Sequence, residues 1–159
     1  MHPNVSRVAD AARGAGLDLE IRRFPEGTRT AEDAARAIGC EVGQIVKSLV
    51  FMADGHPVVA LVSGADRVDT ELLAAATGAS TTRRATGDEA RAATGYAIGG
   101  VPPFGHAEQL TVLVDPHLLA HDTIWAAAGL PDAVFPVEPR ALVKASGAQV
   151  AELAEARNG

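Results

Sequence analysis

Residues 45–63 read IVKSLVFMADGHPVVALVS. The dipeptide Asp54-Gly55 is a strong hairpin signal, because the two-residue turns that match strand twist need positive φ, which Gly adopts freely and Asp tolerates. Apolar runs of strand length flank it, Gln44 to Ala53 before and His56 to Ser63 after. Together they predict an antiparallel hairpin. Lys47 interrupts it. Along an extended chain Ile45, Lys47, Leu49 and Phe51 point to one side, so an ammonium shares a face with three large apolar groups. An unpaired buried ammonium is strongly unfavourable. Either Lys47 lies at a sheet end with its stem on apolar surface and its head in water, or it faces a cleft that takes a ligand.

Working outward, VSRVADAARGAG (5–16) has apolar residues at helical spacing and stops at Gly14 and Gly16, which predicts a first helix. LDLEIRRF (17–24) alternates Leu17, Leu19 and Ile21 with charged residues, the period of a half-buried strand ending at Pro25. Thr30 with Asp33 three residues on caps a short helix closing at Gly39, and Asp69-Thr70-Glu71 opens another ending at Gly78. Thr86 and Glu89 form a capping box for a further helix. LTVLVDP (110–116), TIWAAAG (123–129) and AVFPVEP (133–139) read as strands, and Pro139 suits the first turn of a helix through RALVKAS. Strands and helices intermix without a strict βαβ rhythm. The expected fold is α/β (α+β): a single domain over residues 1–159, with a mixed, partly curled β-sheet surrounded by short helices.

Composition narrows the function classes. The 159 residues are 47% hydrophobic and carry a formal net charge of -6, so the molecule as a whole repels phosphate backbones. Any nucleic-acid contact must be local or assisted by a partner. One cysteine, Cys40, rules out an internal disulfide framework, and no apolar run approaches the roughly 20 residues that span a bilayer. MHPNVSRVAD lacks a signal-peptide pattern, so the expected location is cytoplasmic, with no membrane association.

A second segment bears on Lys47. GYAIGGVPPFGH (95–106) is too rich in Gly and Pro for regular structure. Gly99-Gly100 permits close backbone approach and Pro102-Pro103 stiffens the chain beyond it, so the amides of Gly99, Gly100 and Val101 can line a pocket. Pre-aimed amides of this kind suit an oxyanion. A rigid connecting turn is the plainer alternative.

TAEDAARAIG, then QIVKSLVF, then a hairpin, then GYAIGGVPPFGH together resemble the YbaK/prolyl-tRNA-synthetase-associated domain (YbaK/EbsC) family, from about residue 20 to 150. The resemblance implies a trans-acting aminoacyl-tRNA deacylase, which hydrolyses the ester joining a wrong amino acid to the tRNA 3′ end. The substrate it implies is tRNA(Pro) carrying Cys or another small amino acid. By the same resemblance Lys47 is the key residue and Gly99 and Gly100 meet the scissile carbonyl; these three form the expected catalytic set. Thr30, Ser63, Tyr96, Ile98, Val101, Pro102, Phe104 and His106 are the expected substrate-binding set. Water is the implied nucleophile, or the side chain of a thiol-bearing substrate. The implied partners are the aminoacyl-tRNA 3′ end and prolyl-tRNA synthetase; no cofactor, metal or DNA is called for, and no signal for an oligomeric state is present. The alternative is a non-catalytic module that binds an aminoacyl, nucleotide or small-molecule ligand in the same pocket.

Two departures stand out. Cysteine-clearing members carry Gly-Gly-x-Ser-Pro where this chain has Pro102 in the serine position. Alanine-clearing members share Pro-Phe-Gly but continue with Asn-Asp, where this chain has HAEQL. Other candidates are weaker. Cys40 has no basic partner nearby in sequence. His117 and His121 have the spacing of a metal pair, but HLLAH lacks the zinc-hydrolase Glu. Asp66, after the return strand beside Lys47, reads as a turn residue, with a place facing the same pocket as the alternative, and Arg83-Arg84 reads as a solvated pair with a modest phosphate patch as the alternative.

Overall fold

In the computed structural model, which describes residues 1–24 and 30–156, the hairpin forms as its turn chemistry dictates. Strand β2 (Val46–Ala53) pairs antiparallel with β3 (His56–Ser63), from Val46 opposite Ser63 to Ala53 opposite His56. Asp54 and Gly55 turn the chain at φ 49° and 82°. Val59, Ala60, Leu61 and Val62 of β3 are all shut from solvent. A strand covered on both faces reads as a continuous apolar run, which is why HPVVALVS does not alternate.

β4 (Thr82–Arg84) adds antiparallel to the far end of β2. β5 (Thr111–Val114) lies parallel to β3, and β8 (Gln149–Val150) parallel to β5. This sheet has the order β4-β2-β3-β5-β8. A second sheet has the order β1-β7-β6, built antiparallel from β1 (Arg22–Arg23), β7 (Ala133–Val137) and β6 (Ile124–Ala127). A parallel bridge between Ile45 and Trp125 joins the two. The mixed α/β architecture is thus present, divided between two open sheets.

Five helices among the described residues surround them: α1 (Pro3–Gly14), α2 (Ala31–Ile38), α3 (Thr70–Thr77), α4 (Gly87–Thr94) and α5 (Pro139–Ser146). Their starts are chemically fixed. Thr30 accepts from the Asp33 amide, Asp69 from those of Glu71 and Leu72, and Thr86 and Glu89 close a reciprocal capping box. Asp33 does not turn back to complete a box at α2, since its carboxylate takes Arg36 at 2.9 Å.

Three apolar clusters hold the layers together. Val46 and Val50 pack with Val5 and Val8 of α1 on one face of the hairpin; Phe51 and Val62 pack with Leu73 of α3 on the other. Ile45 belongs to a third cluster with Ala34, Ala35, Trp125 and Val134. The segment 17–24 departs from expectation: only Arg22 and Arg23 form a strand, paired with β7, while Leu17, Leu19 and Ile21 lie against the large core without a ladder. Alternation recorded one-sided burial there, which does not require a strand neighbour. Pro25 lies outside the described residues. Among the described residues no helix is long and apolar enough to cross a membrane.

Candidate active site

The outer edge of β2 is shared between two partners. At one end β4 pairs with Phe51, Met52 and Ala53, and the Ala85 amide reaches the Val50 carbonyl at 3.0 Å; at the other, Ile45 bridges to Trp125 of the second sheet. The sheets diverge between these points. There, a cavity of about 510 Å³ opens, floored by Val46 to Val50. α2 contributes Thr30, Ala31 and Ala34, the β4–α4 region Arg84, Ala85 and Ala90, and β6 Trp125 to Ala127. Ile98, Gly99, Val101 and Pro131 form the rim loops. The alanines explain the space: methyl side chains at wall positions leave a void that larger residues would fill.

Lys47 lies in this floor, at the seam between the Ile45 cluster and the Leu49–Phe51 cluster. The apolar residues on either side of Lys47 therefore belong to two cores with the lysine at their junction. Its Nζ donates to the main-chain carbonyl of Asp66. Burial lowers the Lys47 pKa from its ordinary value, the charges of Asp66 and Glu32 partly offset this, and Arg67 and Arg84 add to the lowering.

Next to it, Ser48 has a buried hydroxyl with no hydrogen-bond partner among the described residues. The available signal in the sequence is a second polar position, beside Lys47, on a strand that is otherwise apolar. Arg84 was also undervalued. Arg83 is tied to Glu89 through two 2.8 Å contacts, whereas Arg84 turns over the Phe51 ring and lines the cavity.

The sequence-predicted residues divide. Lys47, Thr30, Ile98, Gly99 and Val101 line one cavity. Gly100 sits behind the rim: its amide donates to the Ala97 carbonyl at 2.9 Å, so it is not available to an oxyanion, and its Cα packs against the backbone of Gly129 and Leu130. Tyr96 and Phe104 are buried in the large core, with Arg7 stacked on Tyr96 and Phe135 against Phe104. His106 anchors the loop through a 2.7 Å contact with the Pro102 carbonyl, and burial lowers its pKa. Pro102 is buried in the same loop and is not among the residues lining the cavity. Ser63 is buried and donates to the Gly43 carbonyl at 2.9 Å, pinning the turn that precedes β2. Loop composition located the wall, and packing decided which of its side chains face the space.

The remaining candidates find other roles. Burial pushes the Cys40 thiol up, away from nucleophile chemistry. His117 and His121 have different neighbours: His117 Nδ1 meets Asp66 Oδ2 at 2.7 Å, and the His121 ring lies by Gly43. Asp66, Asp115 and His117 bring ligand-type atoms within 4.8 Å of one another. Asp115 is committed to the amides of His117, Leu153 and Ala154, which marks it as a backbone anchor.

Residues 25–145 match the model of the aminoacyl-tRNA editing domain family. A crystal structure of a candidate trans-editing enzyme for prolyl tRNA synthetase is 44% identical, with a TM-score of 0.93 over 98% of this chain and 99% of that one. EbsC of Enterococcus faecalis, a candidate Cys-tRNA(Pro)/Cys-tRNA(Cys) deacylase, is 30% identical over 131 residues, covering 82% of this chain and 80% of EbsC. A proline–tRNA ligase of Limosilactobacillus fermentum is 34% identical over 109 residues, which make up 65% of this chain but 19% of the ligase.

Proposed function

The chain belongs to the aminoacyl-tRNA editing domain family, and from its place there as an aminoacyl-tRNA deacylase we infer that it clears tRNA(Pro) of Cys or another small amino acid in trans. The observation that carries this reading is the single cavity in which the Lys47 strand faces the Gly99 loop. An aminoacyl ester is already activated, so positioning and charge stabilisation suffice for its hydrolysis. Water adds to the ester carbonyl, the tetrahedral oxyanion collapses, and the bond to the ribose oxygen breaks to release amino acid and tRNA. The Lys47 ammonium supplies positive charge beside the developing oxyanion. The Gly99 amide, which donates to no described residue, is the second donor in this reading.

The volume of about 510 Å³ is shaped by alanines and supports a small aminoacyl group together with part of the terminal nucleoside. Selection among small amino acids then rests on wall contacts, where one methylene is worth about 1–3 kcal/mol. Prolyl-tRNA synthetase is the partner in this reading, supported by the similarity to part of a proline–tRNA ligase.

The test is hydrolysis of tRNA(Pro) charged in turn with Cys, Ala, Ser and Pro. At least one mischarged form should be deacylated well above background and Pro-tRNA(Pro) spared. Lys47→Ala should lose on the order of 100-fold in kcat/KM, the scale of removing one oxyanion contact. Binding without hydrolysis of any form would overturn the substrate reading, and a wild-type rate for Lys47→Ala would overturn the site.

A further inference from the structure

Behind Lys47 lies a set of contacts that ester hydrolysis in the cavity does not use. The turn after β3 brings Asp66 under the Lys47 side chain, and its main-chain carbonyl accepts from Nζ. The Asp66 side chain itself is almost fully buried, with 1% of its surface exposed, and its Oδ2 meets His117 Nδ1 at 2.7 Å. His117 stands on the turn after β5, is 42% exposed, and is held by the Asp115 carboxylate through its own main-chain amide at 2.8 Å. The residue whose carbonyl holds the ammonium of the cavity thus also carries a buried carboxylate in contact with a part-exposed imidazole.

Resting on the reading of Lys47 as the cation of the site, we propose that Asp66 is a positioning residue for this lysine: its carbonyl aims the ammonium into the cavity and its carboxylate, clasped by His117, supplies the counter-charge. Two features support it. A carboxylate that served only the turn would gain nothing from burial beside a lysine, since an exposed Asp or Asn makes the same turn contacts. Among the charges facing Lys47, burial is opposed by Asp66 first, from its turn, and by Glu32 of α2 second, while Arg67 and Arg84 of β4 act with it. Among the described charges, Asp66 is therefore the first counterweight to the burial that lowers the Lys47 pKa.

Neutralising Asp66 removes that counterweight, so the Lys47 pKa falls further and the cation is lost at lower pH. The experiment is the Lys47 side-chain NMR titration, with selectively labelled lysine, in wild type, Asp66→Asn and His117→Ala, beside the pH profile of deacylation kcat/KM. Asp66→Asn should move the Lys47 titration and the alkaline limb of kcat/KM down together by roughly one pH unit, the low end for an opposite charge at close range. His117→Ala, at a half-exposed ring, should move both in the same direction by less, because an unclasped carboxylate is less well held. Should Asp66→Asn not fold, His117→Ala alone decides.

An unmoved Lys47 titration in the folded variants would overturn the proposal. The titration needs no activity, so the two readings separate. A shifted titration with Lys47→Ala fully active keeps the positioning role and removes the catalytic one. An unmoved titration with Lys47→Ala inactive does the reverse.

Discussion

Ser48 shows how a single side chain can be costly to the fold and useful to the site. The residue lines the cavity, while its hydroxyl is buried at the cavity floor and has no hydrogen-bond partner among the described residues. Leaving a polar group in that state costs about 1–3 kcal/mol. An aminoacyl ester carries an α-ammonium that needs an acceptor once it leaves water, and a hydroxyl can supply one. Ser48→Ala should therefore leave the thermal midpoint unchanged or slightly raised. Deacylation kcat/KM should fall by about tenfold or more, since a hydrogen bond to a charged group is worth about 1.5–3 kcal/mol. Thermal denaturation and steady-state kinetics on one preparation check both. A lower midpoint with an unchanged rate would mean that the hydroxyl serves the fold.

At the scale of elements, the rim loop depends on one close approach. A Cβ on Gly100 would stand 3.0 Å from both the Gly129 carbonyl oxygen and the Leu130 Cα, which are backbone atoms that cannot rotate aside. Gly100→Ala should push the loop, and Gly99 with it, off the 129–131 segment. The expected loss is about 1–3 kcal/mol of stability, as for overpacking, together with reduced deacylation. Gly87→Ala is the control, because a Cβ there meets nothing within 4 Å; it should be neutral or stabilising by up to about 1 kcal/mol. Equal midpoints for the two variants in thermal denaturation would refute the packing account. These cases also mark what sequence carries. Asp54-Gly55, Thr30, Asp69 and the Thr86–Glu89 box were legible because their chemistry is local and fixed by a few neighbours. The two-sheet split was not, since it depends on Ile45 finding Trp125, 80 residues away, through a single bridge. Short β4 and β8 carry too few residues for a period to register. In the Gly-Pro loop, motif reading reached a segment that lines the cavity, but Tyr96, Phe104 and His106 turn inward because only the assembled core determines which side of a loop is wet.

For the whole molecule, the difficulty is electrostatic: a chain of net charge -6 must receive the 3′ end of a polyanion. Its arginines resolve part of this by location. Arg83 is paired with Glu89, and Arg23 with Asp132 at 3.2 Å. Arg84 lines the cavity over Phe51, and Arg22 stands over Trp125, a cavity residue, at 4.9 Å from the ring centroid. Arg84 keeps its charge on an aromatic face of the cavity, where stacking holds the guanidinium without neutralising it; Arg22, stacked on Trp125, also meets the exposed Glu20 carboxylate at 3.4 Å, a weak surface pair that a phosphate can displace. Two such cations in an acidic protein should make tRNA binding only weakly salt-dependent. With two phosphates neutralised on a single strand, log affinity should fall against log salt with a slope of about -1.4, or roughly sevenfold from 50 to 200 mM. Arg22→Gln and Arg84→Gln should each flatten the slope by about 0.7, and the double variant should approach zero. Measuring KM for mischarged tRNA(Pro) across that salt range reads this directly. A steep slope that survives both substitutions would place the phosphate contacts elsewhere on the surface and leave the two stacked arginines as supports for Phe51 and Trp125.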